Sequence, residues 1–337
     1  MSVTTTKSRV EGKTRIINVN NEYGKLYDAF IGIGDEKNLR GPTYVEALKW
    51  TDKQGIEEME KYGGILAMEV TPEQTKEMTK QLDNLANLLE KKGIEVFRSH
   101  PLKYDEEITY LDNIQRGYVN HDGCDFFLTI GNNVILLNDL RVPCRRKRVW
   151  AVRDVLEPVL KNSNCRYVAM PPCSPHYLKD DMYLERGDVL TDNFNVYVGH
   201  SGNATSMAGI EWLQQYLGSP YKVYTVGLDP KILHLDTVCM LHRPGLLSYY
   251  PEFVKELPAP LQTWEKIEVK MLDIDNEAFG ANGLMLDPNT MVMAEQYKRL
   301  VPEFEKRGIE VITIPFEAPI HWGVGVRCAV GPLHRDN

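Results

Sequence analysis

The feature that most constrains the fold of this chain is a pattern of short segments that recurs along it. Each copy has an apolar strand, a turn rich in Gly, Asn or Asp, a second strand, an amphipathic helix and a third strand. The clearest copies span 125–170, 188–226 and 283–314, and weaker ones run from 15–19 to 93–97 and from 234 to about 272. One such unit cannot cover its own apolar face, so the repetition predicts neighbouring α/β units that pack together.

We expect these units to be arranged around a common axis rather than in a linear solenoid, because they differ in length and follow no strict consensus. No Gly/Ser-rich linker separates them, so residues 15–337 are predicted to form one domain after a flexible arm at 1–14. In a ring of such units the strand ends and their loops converge. Polar residues from distant positions can meet there.

Charge restricts the class of partner. The formal net charge is −8 at pH 7, which argues against nucleic acid as a partner and favours a cationic small molecule. One basic run, 145–148, departs from this balance, and apolar residues at helical spacing follow it. We interpret that run as the solvated first turn of a helix.

Neither a secretory signal nor a membrane-spanning segment is visible. The first fifteen residues are polar, and no later stretch approaches the roughly 18 apolar residues that a spanning helix needs. This predicts a cytoplasmic protein without a membrane partner. The six cysteines contain no C-x-x-C motif, and the seven histidines other than His234 have no partner at ligand spacing. We therefore expect a reduced compartment and no metal.

Polar residues near the strand starts could together carry out chemistry on a guanidinium. That cation has a delocalised, poorly electrophilic carbon, so an enzyme needs carboxylates to hold it, a thiolate to attack it and a histidine to protonate the leaving amine. Each candidate taken alone fits a turn acid, a strand-edge histidine or a buried small side chain. Their shared phase in the repeat favours one site. The candidates are Asp125, Glu185 with Asp188, His234 with Asp236, and Cys328.

Together the motifs resemble the guanidine-modifying enzymes of the pentein superfamily, and within them the arginine amidinotransferases that act on glycine or inosamine phosphate. The resemblance covers nearly the whole chain after residue 15. Its marks are Asn20–Leu26, Asp125, Ile130–Asn132, Gly209–Leu213, His234–Asp236, Arg243–Leu246, Leu284–Asp287 and the segment that ends at Cys328. It implies a five-bladed α/β propeller of repeated modules around a pseudo-fivefold axis, with no cofactor; a homodimer is compatible with it.

The resemblance also implies a role for each candidate except Asp188. Cys328 would attack the guanidinium carbon, and Asp125 and Asp236 would bind guanidinium nitrogens. His234 would pass protons to the leaving amine and from the acceptor, and Glu185 would support it. The implied reaction moves the amidino group of L-arginine, or a related guanidine, to an amine by ping-pong kinetics through a covalent amidino-cysteine, typically in specialised metabolism.

Three departures leave alternatives open. Glu185 stands where the amidinotransferases carry aspartate, and glutamate there resembles arginine deiminases and methylarginine hydrolases, as does the segment after Cys328. Arg327 replaces the usual histidine before the nucleophile. Phe253 replaces an arginine that grips the substrate carboxylate, and 275 and 276 replace a serine pair. A guanidine hydrolase that uses water is therefore the alternative function, and a non-catalytic binding protein is a third hypothesis.

Overall fold

The computed structural model describes residues 14–34, 57, 60–62, 65–100, 109–110, 113–114, 124–137, 141, 145–146, 148–174, 181–272 and 278–337. The expected arm lies outside these ranges except for residue 14. In chain order the strands are β1 (Leu26–Ile31), β2 (Glu95–Arg98), β3 (Thr109–Tyr110), β4 (Asn113–Ile114), β5 (Phe127–Ile130), β6 (Asn133–Leu136), β7 (Arg166–Ala169), β8 (Val189–Asp192), β9 (Asn195–His200), β10 (Lys222–Gly227), β11 (Cys239–Arg243), β12 (Leu246–Tyr249), β13 (Glu265–Glu268), β14 (Leu284–Asp287), β15 (Thr290–Ala294), β16 (Glu310–Ile314) and β17 (Val330–Arg335).

Among the described residues, three helices have more than ten residues and the others are short. In chain order they are α1 (Ala67–Val70), α2 (Pro72–Lys91), α3 (Arg148–Lys161), α4 (Met207–Leu217), α5 (Leu235–Val238), α6 (Ala259–Gln262), α7 (Val301–Glu305) and α8 (Glu317–His321), with 3-10 helices at Arg186–Asp188 and Glu295–Leu300. Among the described ranges, no helix has the length and apolar character needed to cross a membrane.

Fifteen of the strands in the described ranges form five three-stranded sheets, and β3 pairs with β4 outside them. Sheet 1 is β17–β1–β2, sheet 2 is β5–β6–β7, sheet 3 is β8–β9–β10, sheet 4 is β11–β12–β13 and sheet 5 is β14–β15–β16. In every sheet the middle strand is antiparallel to the first strand and parallel to the third. The predicted repeat is confirmed, and five such sheets are those expected of a five-bladed α/β propeller.

Sheet 3 shows how the local sequence produces one module. Asn193 adopts a left-handed φ of 55° in the turn between β8 and β9, a conformation that asparagine tolerates better than most residues. The parallel pairing of β9 with β10 requires a crossover, which α4 supplies. Ser206 caps this helix, and its Oγ accepts a hydrogen bond of 3.1 Å from the backbone N–H of Gly209.

The N-terminal module differs from the expectation. The predicted strand at 15–19 makes only isolated bridges, such as Val19 with Gly131. The middle strand of sheet 1 is instead β1, and its antiparallel partner is β17 from the far end of the sequence. A residue in this segment, Arg15, forms ion pairs with Asp28 and Glu95 and so fastens the segment to sheet 1.

Burial decreases from the first strand of a sheet to the third. All four residues of β5 are buried, whereas β7 is mostly exposed. The loops that lead into the buried first strands therefore lie in the interior of the molecule, and these loops carry the candidate site residues.

Candidate active site

Each of the five sheets contributes a buried polar residue just before its first strand. These residues are Asp125 before β5, Glu185 before the 3-10 helix that leads to β8, His234 before α5 and β11, Asn282 before β14, and Cys328 before β17. The shared phase that the sequence predicted is confirmed in the structure. Asn282 was missed because a lone asparagine is neither a nucleophile nor charged, although its position before β14 is the same signal.

The thiol of Cys328 makes two hydrogen bonds. It donates to Oδ2 of Asp236 at 3.2 Å, and its sulfur accepts from Nδ2 of Asn282 at 3.2 Å. Burial raises the pKa of Cys328, and the nearby carboxylates of Asp236 and Asp125 raise it further. Arg327 opposes them, but the pKa stays well above its ordinary value. The thiol is therefore protonated when no additional cation is near.

His234 is paired with Glu185. Its Nε2 lies 2.9 Å from Oε2 of the glutamate. Burial alone lowers the pKa of this histidine, but the hydrogen bond to Glu185 and the charges of Asp125 and Asp188 outweigh burial and raise it to about 9. His234 is consequently an imidazolium at neutral pH, which is the form that can donate a proton.

Two neighbours hold His234 in place. Oδ1 of Asp188 accepts a hydrogen bond of 3.0 Å from the backbone N–H of Leu235, at the start of α5. Gly187 lies so close that a Cβ at this position would overlap the imidazole ring. Residues 185–188 therefore support the histidine through Glu185, leave space for its ring at Gly187 and cap α5 through Asp188.

Arg145 places a guanidinium between two of the acids. Its Nη1 lies 2.5 Å from Oε2 of Glu185, and its Nη2 contacts Oδ2 of Asp125. The interpretation of the basic run as a solvated helical turn is wrong for Arg145 and for the buried Arg146. Helical spacing predicts the position of α3, but it gives no information on the contacts of the residues that precede the helix. Here the carboxylates of Asp125 and Glu185 pair with Arg145.

Arg327, the residue before Cys328, is buried and makes several hydrogen bonds. It donates to Oδ2 of Asp236 at 3.0 Å, to Oε1 of Glu22 at 3.1 Å and to the carbonyl of Val189 at 2.7 Å. Burial alone raises the pKa of Glu22, since it favours the neutral acid, but the charges of Arg327, Arg186 and Arg335 outweigh burial and lower it. Both acids that touch Arg327 thus lie in an ion-pair network that the protein encloses.

One carboxylate oxygen of Asp236 is available for a further hydrogen bond. Its Oδ2 is shared by Arg327 and Cys328, whereas Oδ1 has no hydrogen-bond partner among the described residues. A buried carboxylate oxygen in this state is a strong acceptor for a cationic N–H donor. The predicted substrate contact of Asp236 is compatible with this geometry.

At the predicted carboxylate-binding position the structure has an apolar environment. Phe253 packs against Tyr250, with ring centroids 5.8 Å apart. Positions 275 and 276 lie outside the described residues. Residue 253 therefore offers no cationic side chain to a substrate carboxylate.

One cluster could in principle hold a divalent cation. Ligand atoms of Asp125, Glu185 and His234 lie within 4.8 Å of one another. The guanidinium of Arg145 contacts both carboxylates, and the imidazole Nε2 is bound to Glu185, so an ion would have to replace these contacts. The donors suit an organic cation with several N–H groups at least as well as a metal.

Comparison with known proteins shows which enzymes the chain is similar to. No known family profile matches the chain. The sequence is 26% identical to inosamine-phosphate amidinotransferase 1 of Streptomyces griseus, over 95% of this chain and 97% of that protein. Similarity over nearly the full length of both chains means that the whole domain is shared.

Solved structures agree on the fold. An amidinotransferase from Microseira wollei, which acts in the saxitoxin biosynthetic pathway, superimposes with a TM-score of 0.82 at 23% identity and covers 95% of this chain and 98% of its own. DDAH from Pseudomonas aeruginosa, solved with citrulline, gives a TM-score of 0.65 at 15% identity and covers 91% of this chain and 99% of its own. The amidinotransferase structure is the nearer of the two. The repeated sheets, the full-length sequence similarity and the nearer structural match together show that the chain is similar in sequence and fold to amidinotransferases.

Proposed function

We propose that this transferase moves the amidino group of L-arginine, or of a related guanidine, to a primary amine through a covalent intermediate on Cys328. The observation that supports this most is the position of the Arg145 guanidinium between Asp125 and Glu185, beside His234. The site thus accommodates the functional group that the reaction requires, with carboxylates matched to its planar N–H donors.

The first half-reaction forms a carbon–sulfur bond and breaks a carbon–nitrogen bond. Asp125 and Asp236 hold the guanidinium of the donor, whose positive charge favours the thiolate, so Cys328 releases its proton to solvent and attacks the guanidinium carbon. His234 then gives its proton to the leaving nitrogen. The product amine departs, an amidino group remains on sulfur, and His234 is left neutral.

The second half-reaction reverses these roles. Neutral His234 takes a proton from the acceptor amine as that amine attacks the amidino carbon. The carbon–sulfur bond breaks, the thiolate is restored, and the acceptor leaves as a guanidine. Glu185 stabilises the imidazolium in both steps through its hydrogen bond to Nε2. No atom changes its oxidation state in either step, and the proposal needs no cofactor.

The acceptor is proposed to be an amine of specialised metabolism, in the cytoplasm. Two relatives support the metabolic part, since the names of these proteins refer to inosamine phosphate and to saxitoxin biosynthesis. The phenylalanine at 253 also favours a substrate end unlike that of glycine, which would bring a carboxylate.

Incubation with L-arginine, with and without primary amines, tests the proposal. Without an acceptor, intact-protein mass spectrometry should show one added amidino group on Cys328, with one equivalent of ornithine released per site. With an acceptor, turnover should be continuous and ping-pong. Steady turnover in water alone, without an acceptor, would instead support the hydrolase alternative. Absence of both the adduct and turnover with a panel of guanidines would contradict guanidine chemistry at this site.

A further inference from the structure

Asn282 lies where the fifth sheet contributes its residue to the site, and it makes three hydrogen bonds there. Its Nδ2 donates to Sγ of Cys328 at 3.2 Å and to the carbonyl of Asp236 at 2.9 Å. Its Oδ1 accepts from the backbone N–H of Arg327 at 2.9 Å. Because a backbone N–H can only donate, the third bond fixes which end of the amide faces the sulfur.

A glycine next to the side-chain amide of Asn282 leaves the space that this amide occupies. A Cβ at Gly325, three residues before the nucleophile, would overlap Oδ1 of Asn282. The glycine lets the backbone that carries Cys328 pass close to the amide. Asn282 itself is only 2% exposed, so water does not compete for its donors.

The two hydrogen bonds of Cys328 have opposite effects on its ionisation. The bond to Asp236 is donated by the thiol and exists only while the proton is present. The bond from Asn282 is accepted by sulfur, and a donor of this kind binds the negative thiolate more strongly than the neutral thiol. After deprotonation, the asparagine amide still binds the sulfur.

We infer that Asn282 is a positioning residue for the nucleophile: it orients Sγ of Cys328 and stabilises the thiolate during attack. The inference rests on the proposed function for the role of Cys328, but it concerns the thiol itself. The charged groups that face this sulfur are Asp236 and Asp125, which disfavour the thiolate, and Arg327, which favours it. Asn282 adds a neutral hydrogen-bond donor that also favours the thiolate.

The variant Asn282→Asp tests the inference most directly. It keeps an oxygen for the Arg327 N–H and replaces the sulfur-facing N–H by a carboxylate oxygen. The pH dependence of Cys328 alkylation by iodoacetamide, followed by peptide mass spectrometry to separate it from the other five cysteines, reports the thiol pKa. We expect this pKa to rise by about one unit or more. Asn289→Asp, the same change in the exposed β14–β15 turn, should leave it unchanged.

Kinetics provide the second measurement. With arginine as donor, Asn282→Asp should lower kcat by roughly tenfold or more and change KM little, because the lost contact is to the nucleophile and not to the donor. An unchanged alkylation profile in a folded Asn282→Asp protein would overturn the inference, even if Cys328 proves to be the nucleophile. Conversely, a shifted profile in a protein without amidino transfer would support Asn282 and contradict the proposed function.

Asn282→Ala provides a second route if the aspartate variant does not fold. It removes the donor without adding charge and should also raise the thiol pKa. A crystal structure of the unsubstituted protein at a pH above the alkylation midpoint tests the inference without any variant. Nδ2 of Asn282 should remain within hydrogen-bond distance of Sγ there, and a sulfur rotated away from the amide would contradict the inference.

Discussion

Oδ2 of Asp236 accepts a hydrogen bond from the thiol of Cys328 at 3.2 Å, so the proposed nucleophile is bound directly to an acid that we expect to hold the donor cation. Loss of the thiol proton would leave two negative groups in contact. A guanidinium that binds Asp236 reduces that repulsion. Donor binding and activation of the nucleophile are therefore expected to be coupled.

Replacing the proposed nucleophile should abolish turnover without unfolding the protein. In Cys328→Ala one small side chain replaces another, and only the sulfur is lost. We expect no detectable amidino transfer and a circular dichroism spectrum like that of the unsubstituted protein. Cys165→Ala is the matched control, because this half-buried cysteine lies after α3 and away from the site residues. Retained activity in Cys328→Ala would contradict the central assignment.

Asp125→Asn should reduce kcat/KM by two orders of magnitude or more, about 2.7 kcal/mol of transition-state stabilisation, because a buried charge-assisted contact to the cation is lost. Steady-state kinetics with arginine and an acceptor measure this. The control is Asp154→Asn, the same change on the exposed side of α3. A value within roughly twofold of the unsubstituted enzyme, under about 0.5 kcal/mol, would show that Asp125 only shapes its turn.

Arg145→Gln should lower the KM for the donor by about tenfold, near the lower end of the roughly 1.5–3 kcal/mol that a hydrogen bond to a charged group is worth. The reason is that the donor guanidinium competes with Arg145 for Asp125. Initial-rate kinetics measure the change, with Arg153→Gln, in an i,i+4 surface pair of α3, as the control. A higher KM would show that Arg145 instead arranges the acids for the substrate.

The pairing of His234 predicts a specific pH dependence of stability. Its pKa in the folded protein is raised from 6.5 to about 9. The stability contributed by the protonated ring is therefore complete below pH 6.5 and is lost as the pH rises through about 9. We expect the difference in unfolding free energy between the unsubstituted protein and His234→Gln to shrink over this window by an amount on the order of 3 kcal/mol. Urea unfolding across this pH range measures it, and a constant difference would contradict the raised pKa.

Arg327→Met should destabilise the fold by about 3–5 kcal/mol, because it leaves Glu22 and Asp236 buried without their shared cation. Urea unfolding measures the loss. Arg307→Met removes partly exposed ion pairs with Glu265 and Glu303 and should cost about 1 kcal/mol or less. Equal effects of the two substitutions would show that the buried network contributes no more than a surface pair.

The sequence was sufficient to predict the modules and the convergence of their strand starts, because period-2 and helical patterns and turn residues are local signals. It placed Cys328 and the five other candidate residues at one phase of the repeat. It could not reveal the contact of Arg145 with two acids, since no local pattern records what a loop residue faces. The absent strand at 15–19 has a similar cause: the partner that completes sheet 1 comes from β17, and such distant pairing leaves no mark in the segment itself.

The antiparallel pairing of β17 with β1 also has a consequence during synthesis on the ribosome. Ile31 is paired with Val330, only two residues after Cys328, so the loop that carries the thiol is fixed by a strand made near the beginning of the sequence. While the nascent chain is incomplete, the edge of β1 that later binds β17 has no partner, and an unpaired edge is prone to association with other chains. The thiol reaches its carboxylate and amide partners only after residues up to 335 have left the exit tunnel. A chain truncated before Val330 would therefore be both inactive and prone to aggregate, even with its other four sheets complete in sequence.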